Sequence, residues 1–517
     1  MRTQIHMLAA LILIIPTSST VALVSRKTFV KFANNTPFDI TVKNFSTEFD
    51  TTLDKNQFGA DQAGVVIRSG TTEKKIVFFE RNVDIKKGKE YKFELGLEVP
   101  IIGDLILEQK IIGKNINSQM YLSASSGYDS TAQTRVSRQW KEASHKRSSI
   151  TLSNGSHTFI ISFNAYSDGP GTDDVWYAID YIDENMYKVD PVGNNGLNVL
   201  IYNVAGLLGL PDATRLLGLP RFQLGQSARA KIIPVEIAHK YDSVIICEAF
   251  AKQTREPLMD GLKKNGYPYI SNVVGLEKAN KLGKVIGAVA GAVAGPLGYL
   301  VGSRTTEDIR SGGVLIASKW PIVAQKSLVF DDCIGVDCNM NKGAAYVAIN
   351  KNGKKYHIIG LHTNAQWKKD DTTHTIRHKQ FKQLAEFIKN ENIPSNEPLI
   401  IGGDLNVDAY NQDEYNGMLK TLRAIHPPLD GQYKYTWDPA LNKLEPQEDL
   451  NIKELLDYIL YSKDHLKPTK SFNRVLLFKA HKDWADDMKK LDLPGQTTLF
   501  DLSDHFPVYG HFVFDQY

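Results

Sequence analysis

Residues 399–406 read Leu-Ile-Ile-Gly-Gly-Asp-Leu-Asn, an apolar run that ends in two glycines, a carboxylate and an amide. In a strand, residues i and i+2 share a face, so Asp404 and Asn406 are expected to project together from the carboxyl end of a buried strand. Glycines leave room for backbone or ligand to come close. An acceptor beside an amide can orient a water and hold an oxyanion. A strand that closes in an Asx turn is the plainer alternative, and the surrounding chain has to decide between them.

Outward from this stretch, several further segments are apolar throughout: LNVLIYNV (197–204), YDSVIICEAF (241–250), GGVLIASK (312–319), YHIIGLHT (356–363) and LLDYILYS (455–462). Strands of that composition are covered on both faces. They alternate with helical patterns over 377–390 and 414–425. The economical architecture is a layered α/β sandwich with two sheets between helices.

Residues 26–190 read differently. TFVKF, FDITVKNF, KKIVFFE, YKFELGL, HTFIISF and VWYAIDYI are separated by turn-rich pieces such as SNGS and SDGPGTDD. That is the pattern of an all-β sandwich of short antiparallel strands. It holds no set of acids, bases and nucleophiles. Asp168, Asp173 and Asp174 suit either calcium or a solvated turn. A binding or targeting accessory domain is expected, joined through the Pro-Val-Gly-Asn-Asn-Gly linker at 191–196 to a second domain over 196–517.

The chain has 517 residues, enough for several domains. A hydrophobic share of 42% and a charged share of 23% are those of a globular chain, and a net charge of +3 is too weak to argue for nucleic acid. Residues 1–25 have a signal-peptide layout: Arg2, an apolar core over 7–16 too short to span a bilayer, then small residues. A secreted, extracellular protein is expected, with a retained anchor as the alternative. Of three cysteines, Cys333 and Cys338 suit a small disulfide loop or two free thiols, and Cys247 reads as a buried thiol. Asn34, Asn44 and Asn154 stand in N-x-S/T sequons.

The polar residues along the apolar strands of the second block form a set: Asn203, Glu248, His362, Asp404, Asn406, Asp457, Asp504 and His505. Each has a structural explanation alone, as a turn cap, a satisfied core histidine or a partner of lysine. Functional groups gathered at one rim of a sheet are how a site is built on a rigid scaffold.

In this order the residues resemble the endonuclease/exonuclease/phosphatase superfamily, the DNase I-like fold, over roughly 196–517. GGVLIASKWPI (312–322), the cysteine pair followed by NKG (341–343), NGKKYHIIGLHTNAQ (352–366), LDYILYSKDH (456–465) and SDHFPV (503–508) are similar to secreted bacterial-type neutral sphingomyelinases C. The resemblance implies a four-layer α/β sandwich and a Mg²⁺-dependent phospholipase C, with Mn²⁺ or Co²⁺ as possible substitutes. It implies Glu248, with Asn203, on the metal and His505 as general base, oriented by Asp457. It implies Asp404 aligning the water, Asn203 and Asn406 donating to phosphoryl oxygens, and His362, supported by Asp504, stabilising the developing charge. Relatives carry a second metal at the edge of the site. Here Lys252 replaces the amide, and Glu307-Asp308 stands further from Gly312-Gly313, so an intact edge site is doubtful. His374 and His378 are expected on a helix surface, and His426 has no assignment.

Residues 283–303 contain glycines at 283, 287, 291 and 295 and no charge between Lys284 and Arg304. This apolar insertion suits a membrane-engaging lip, a buried helix or hairpin, or an apolar loop. Trp484 is a second candidate membrane contact. The expected partner is a sphingomyelin-containing membrane surface, met by a monomer, with no nucleic-acid partner. A secreted nuclease of the same fold and a membrane-binding toxin with a vestigial catalytic domain are the competing functions.

Overall fold

The computed structural model describes residues 26–49, 57–58, 63–71, 74–81, 88, 90–112, 119–126, 128–129, 134–135, 141–142, 147–167, 173–206, 225–276, 311–366, 371–444, 451–481, 484, 499–515 and 517. The signal-peptide stretch 1–25, Asp168, the insertion 283–303 and Glu307-Asp308 lie outside the described residues. Among the described residues no helix is long and apolar enough to cross a membrane.

The first block is two six-stranded sheets. In one, the order is Arg147–Asn154, His157–Ser167, Asp173–Asp183, Arg26–Asn35, Lys74–Arg81, Gln57–Phe58. In the other it is Lys141–Glu142, Gln119–Ser126, Gly103–Ile112, Glu90–Val99, Ile40–Phe49, Val66–Ile67. Alternation supplies the core between them: Phe159, Ile161 and Phe163, then Tyr177, Ile179 and Tyr181, face Leu95, Leu97, Leu105 and Leu107. One expectation fails in detail, because the first strand pairs in parallel with Asp173–Asp183 rather than antiparallel. Asp173 and Asp174 begin that strand. The Asn34 sequon is closed to modification: Asn34 is fully buried and donates from Nδ2 to the carbonyls of Phe38 and Ile67.

The other residue set of these strands turns toward the second block. Ile160 and Ile182, with Met186 and Tyr187, join the large apolar core of residues 197–514. The Tyr187 hydroxyl accepts from the Lys479 backbone N at 3.0 Å. Asp180, held by Asn35 Nδ2 at 3.0 Å, lies 3.9 Å from Lys479 Nζ, which is 3.1 Å from Asp501. A Cβ on Gly70 would meet the Ala440 carbonyl at 2.5 Å, so the two blocks approach to backbone contact. The expected linker is tied down as well: Tyr356 donates to Asn194 O, and Phe514 N to Asn195 O.

The second block has the expected pair of sheets. One is ordered Tyr269–Ile270, Leu315–Ser318, Ser243–Ala249, Gly196–Gly206, Val508–Val513, Lys470–Val475, Leu429–Asp430. The other is ordered Ile322–Val329, Gly343–Lys351, Lys354–His362, Leu399–Asp404, Asp457–Ser462, Ala424–Ile425. Their central strands are buried along nearly their whole length, as continuous apolar runs require. Gly360 and Gly402 leave space into which Ile245 of the facing sheet packs. Helices Gln226–Glu236 and Lys252–Lys264 lie against the first sheet, and Asp371–Asn390 and Gln412–Leu422 against the second. The last helix is shorter than its sequence pattern: Arg423 turns left-handed (φ 49°) and bonds Asp464, and residues 424–425 become a strand.

Two residues left open by the sequence, Trp484 as membrane contact or core residue and the unassigned His426, are placed by the fold. Trp484 is fully buried and donates from Nε1 to Asp501 O at 2.9 Å, so it is a core residue rather than a membrane contact. His426 is also structural, bonded to Tyr415 and set edge-on against Tyr458.

His481 joins three elements. Its ring nitrogens lie 2.8 Å from Glu236, on the helix Gln226–Glu236, and 3.1 Å from Glu184, just after Asp173–Asp183. The Glu236 hydrogen bond and the charges of both glutamates outweigh burial and raise the His481 pKa from 6.5 to about 9. A folded pKa above the unfolded one stabilises below the unfolded value and is lost as pH climbs through the folded one. The thermal midpoint should therefore fall between pH 6.5 and 9. His481→Gln should flatten that segment of the profile, modestly, because the ring is half-exposed and screened.

Candidate active site

Strand register brings the polar residues to one edge. His362 is the Cα partner of Asp404, and Asp404 is the partner of Asp457, so three adjacent strands place an imidazole and two carboxylates in a row. In the facing sheet Asn203 is paired with Cys247, and Glu248 follows. The sheets are bridged there: Asn203 Nδ2 donates to Asp404 Oδ2 at 2.9 Å. The loop before Val508–Val513 adds His505, whose Nδ1 lies 2.8 Å from Asp457 Oδ2.

The backbone is bent around this edge. Ala205, Glu248 and Asn406 all have positive φ, at 47°, 61° and 51°. Left-handed backbone costs a non-glycine residue on the order of 1–3 kcal/mol, and such residues cluster where surrounding structure holds functional groups in place. Gly206 is needed for closeness, since a Cβ there would meet Glu248 O at 2.7 Å. Arg229 fixes the ends from outside the site, donating to Val204 O, Ala205 O and Leu502 O. Thr436 accepts at Oγ1 from Leu456 N and Asp457 N, while its carbonyl accepts from Phe506 N.

The glycine-glycine-aspartate stretch closes in the plainer of its two expected forms. Asp404 ends the strand, and Asn406 N donates to Asp404 Oδ1 at 3.0 Å in an Asx turn. Asn406 has therefore left the strand and does not share its face by alternation; its Nδ2 donates to Thr363 O at 3.3 Å. Gly403 serves backbone rather than ligand, for a Cβ there would overlap Leu361 O.

Electrostatics mark the cluster. Burial, then the charges of Asp504 and Asp404, push Glu248 up to about 8, against the opposing pull of Lys342 and His505. Burial and Asp457 raise Asp404 to about 6. Burial lowers the pKa of His505, but Asp457, Asp404 and Asp504 outweigh it and carry the imidazole well above its ordinary value. His362 moves the other way, lowered by burial, Lys342 and His505. Like charges this close need a cation or shared protons.

Two groups of side chains have ligand atoms within 4.8 Å of one another: Glu248, His362 and Asp404, and Asp404, Asp457 and His505. Glu248 Oε2 and Asp457 Oδ1 are buried without hydrogen-bond partners among the described residues. Hard oxygen donors with an open lone pair suit a hard divalent cation such as Mg²⁺ or Mn²⁺. The oxygen of Asn203 accepts from Ala205 N at 3.1 Å and has its second lone pair left.

Not every expected contact forms. The hydrogen bond of His362 goes to Lys342 at 3.0 Å rather than to Asp504, whose Oδ1 accepts from Ser503 Oγ at 3.1 Å. Lys252 pairs with Glu256 on its own helix. His374 pairs with Glu414, and His378 is exposed. Cys333 and Cys338 form a disulfide, and Cys247 is a buried thiol. Lys342, Asp337, Thr436 and Arg229 were not anticipated as part of the site. Only Lys342 left a trace in the sequence, as the middle of NKG.

Comparison with known proteins identifies the family. Residues 202–505 match the model of the endonuclease/exonuclease/phosphatase family. A sphingomyelinase C of Bacillus cereus is 36% identical over 61% of this chain and 88% of its own length. A sphingomyelinase C of Listeria ivanovii is 35% identical over 55% of this chain and 80% of its own length. Among solved structures, a beta toxin variant from Staphylococcus aureus with bound magnesium ions is 30% identical, with a TM-score of 0.48, covering 61% of this chain and 99% of its own.

With Glu248 at about 8 and Asp404 at about 6, the metal-free site holds protons near neutrality that a cation must displace. Titration with Mg²⁺ should release protons, seen by calorimetry as a buffer-dependent heat, and apparent affinity should rise with pH toward 8. Glu248→Gln should remove most of that release.

Proposed function

This chain belongs to the endonuclease/exonuclease/phosphatase family and, within it, to the sphingomyelinases C, and from that membership we propose how its edge site works. The enzyme is a sphingomyelin phosphodiesterase, hydrolysing sphingomyelin to ceramide and phosphocholine. The observation that carries the mechanism is the His505–Asp457 contact at 2.8 Å beside Asp404 and Glu248.

A phosphodiester is a poor electrophile. Cleavage needs an activated water, neutralised charge and a stabilised leaving group. Asp457 holds the proton of His505 on Nδ1 and leaves Nε2 to take one from the attacking water. Asp404 aligns that water, and its bond from Asn203 keeps the carboxylate turned inward. Asn203 and Asn406 supply amide donors to phosphoryl oxygens. Asp504 adds negative charge that favours the imidazolium formed once the proton has moved. His362 contributes to the same phosphoryl subsite. Glu248, with Asn203, would hold a Mg²⁺ ion, with Mn²⁺ or Co²⁺ as substitutes. When bound, such an ion would polarise the phosphoryl oxygen and steady the departing alkoxide.

We further propose a secreted, extracellular, monomeric enzyme that meets sphingomyelin at a membrane surface, with 283–303 as the segment that engages the bilayer. The block over 26–190 acts as an accessory domain. A haemolytic or cytotoxic outcome follows from ceramide production in a cell membrane.

Purified protein on sphingomyelin vesicles with Mg²⁺ should release phosphocholine, and EDTA should abolish it. His505→Ala should lose at least about 10²–10⁴-fold, the usual contribution of general acid–base catalysis. Nicking of plasmid DNA without phosphocholine release would assign the site to a nuclease. Membrane lysis undiminished in His505→Ala would assign it to a toxin that does not need the chemistry.

A further inference from the structure

The motif Asn341-Lys342-Gly343 has no task in the reaction above, yet each of its residues is spatially constrained. A Cβ on Gly343 would overlap Leu328 O, and one on Gly312 would overlap Asn341 O. Asn341 Nδ2 donates to Gly275 O at 3.0 Å. Lys342, between them, is buried to 5% exposure, and its ammonium points at the active-site histidine.

Nζ of Lys342 lies 2.8 Å from Asp337 Oδ2, 3.0 Å from Thr363 O and 3.0 Å from His362 Nε2. An ammonium has three protons and no lone pair. Three acceptors are present for them, one of them the buried Asp337 carboxylate. Nε2 of His362 must then be the acceptor, which means it carries no proton. The ring is neutral and its proton is on Nδ1, an atom with no hydrogen-bond partner among the described residues.

Nε2 is also 3.7 Å from Glu248 Oε1 and 3.6 Å from Asp404 Oδ2, so the lysine meets the ring at the nitrogen that faces both carboxylates. Asp337, which anchors the lysine, also accepts from Ala365 N at 2.7 Å and adjoins the Cys333–Cys338 disulfide, so the cation stands on a fixed support.

We infer that Lys342 is a positioning residue: it fixes His362 as the neutral Nδ1–H tautomer and itself supplies the positive charge on that side of the site. The inference deepens the proposed phosphodiesterase reading, but its principal readout does not need activity.

The test is a long-range proton–nitrogen correlation spectrum of the metal-free full chain labelled at its 13 histidines, with His362→Gln identifying the ring of interest. The wild type should show one protonated nitrogen, Nδ1, and one acceptor nitrogen, Nε2. Lys342→Met, checked for an intact melt, should lose the acceptor signal as Nε2 gains a proton. Its turnover on sphingomyelin should fall about 10–100-fold, the usual effect of removing a partner behind a site histidine. Ethylammonium should restore part of that loss in Lys342→Ala. A wild-type His362 ring protonated on Nε2 overturns the inference whether or not Lys342→Met folds. So does a Lys342→Met ring with the wild-type pattern. A wild type that releases no phosphocholine while showing the expected tautomer would instead overturn the reaction reading.

Discussion

Crowded negative charge in a dry cleft is the constraint on which the rest of this structure depends. Glu248, Asp404, Asp457 and Asp504 converge where two sheets meet, and burial there pushes the Glu248 and Asp404 pKa values up. Buried charge is poorly screened, so the neighbouring features are means of balancing it. His505 is drawn toward its charged form, Asn203 spans the sheets to one carboxylate, and Lys342 places its ammonium beside the second imidazole. The left-handed residues at 205, 248 and 406 belong to the same account. Strain on the backbone is tolerated because the sheets on either side over-determine it.

The first block is not an appendage on a tether. Its outer face continues the core of the second block through Ile160, Ile182, Met186 and Tyr187. Its Asp180 sits in a buried chain of charges through Lys479 to Asp501. Asp501 lies four residues before His505, and Lys443 N holds its other oxygen at 3.0 Å. The segment that carries His505 is therefore braced, through one lysine, by a strand of the neighbouring sandwich.

Much of this was legible in the sequence, for identifiable reasons. Runs such as LIIGG and SVIIC announce strands covered on both faces, and parallel register then forces their polar ends to one edge. Alternation over 157–182 announces the sandwich. What stayed hidden depends on pairs far apart in the chain. Tyr187 and Lys479 are separated by 292 residues, and neither has a local signature. Asn406 was placed by strand alternation, but the Asx turn from Asp404 ends the alternation one residue earlier. Trp484 carries an interfacial residue type, yet its indole N–H finds a buried carbonyl, and that settles its place in the core. Asp504 was expected behind His362 because of its type and position, whereas the nearby lysine could be recognised only once the strands were folded together.

The parallel pairing of Arg26–Asn35 with Asp173–Asp183 has a consequence for how the chain acquires its shape. The first strand to leave the ribosome has Lys74–Arg81 on one side, but its other neighbour is the last strand of the block. One edge of the first strand therefore stays uncovered until residues 173–183 are available to pair with it. The same strand presents Asp180 and Ile182 to the second block. The strand that completes one sheet thus also supplies surface on which the other block packs.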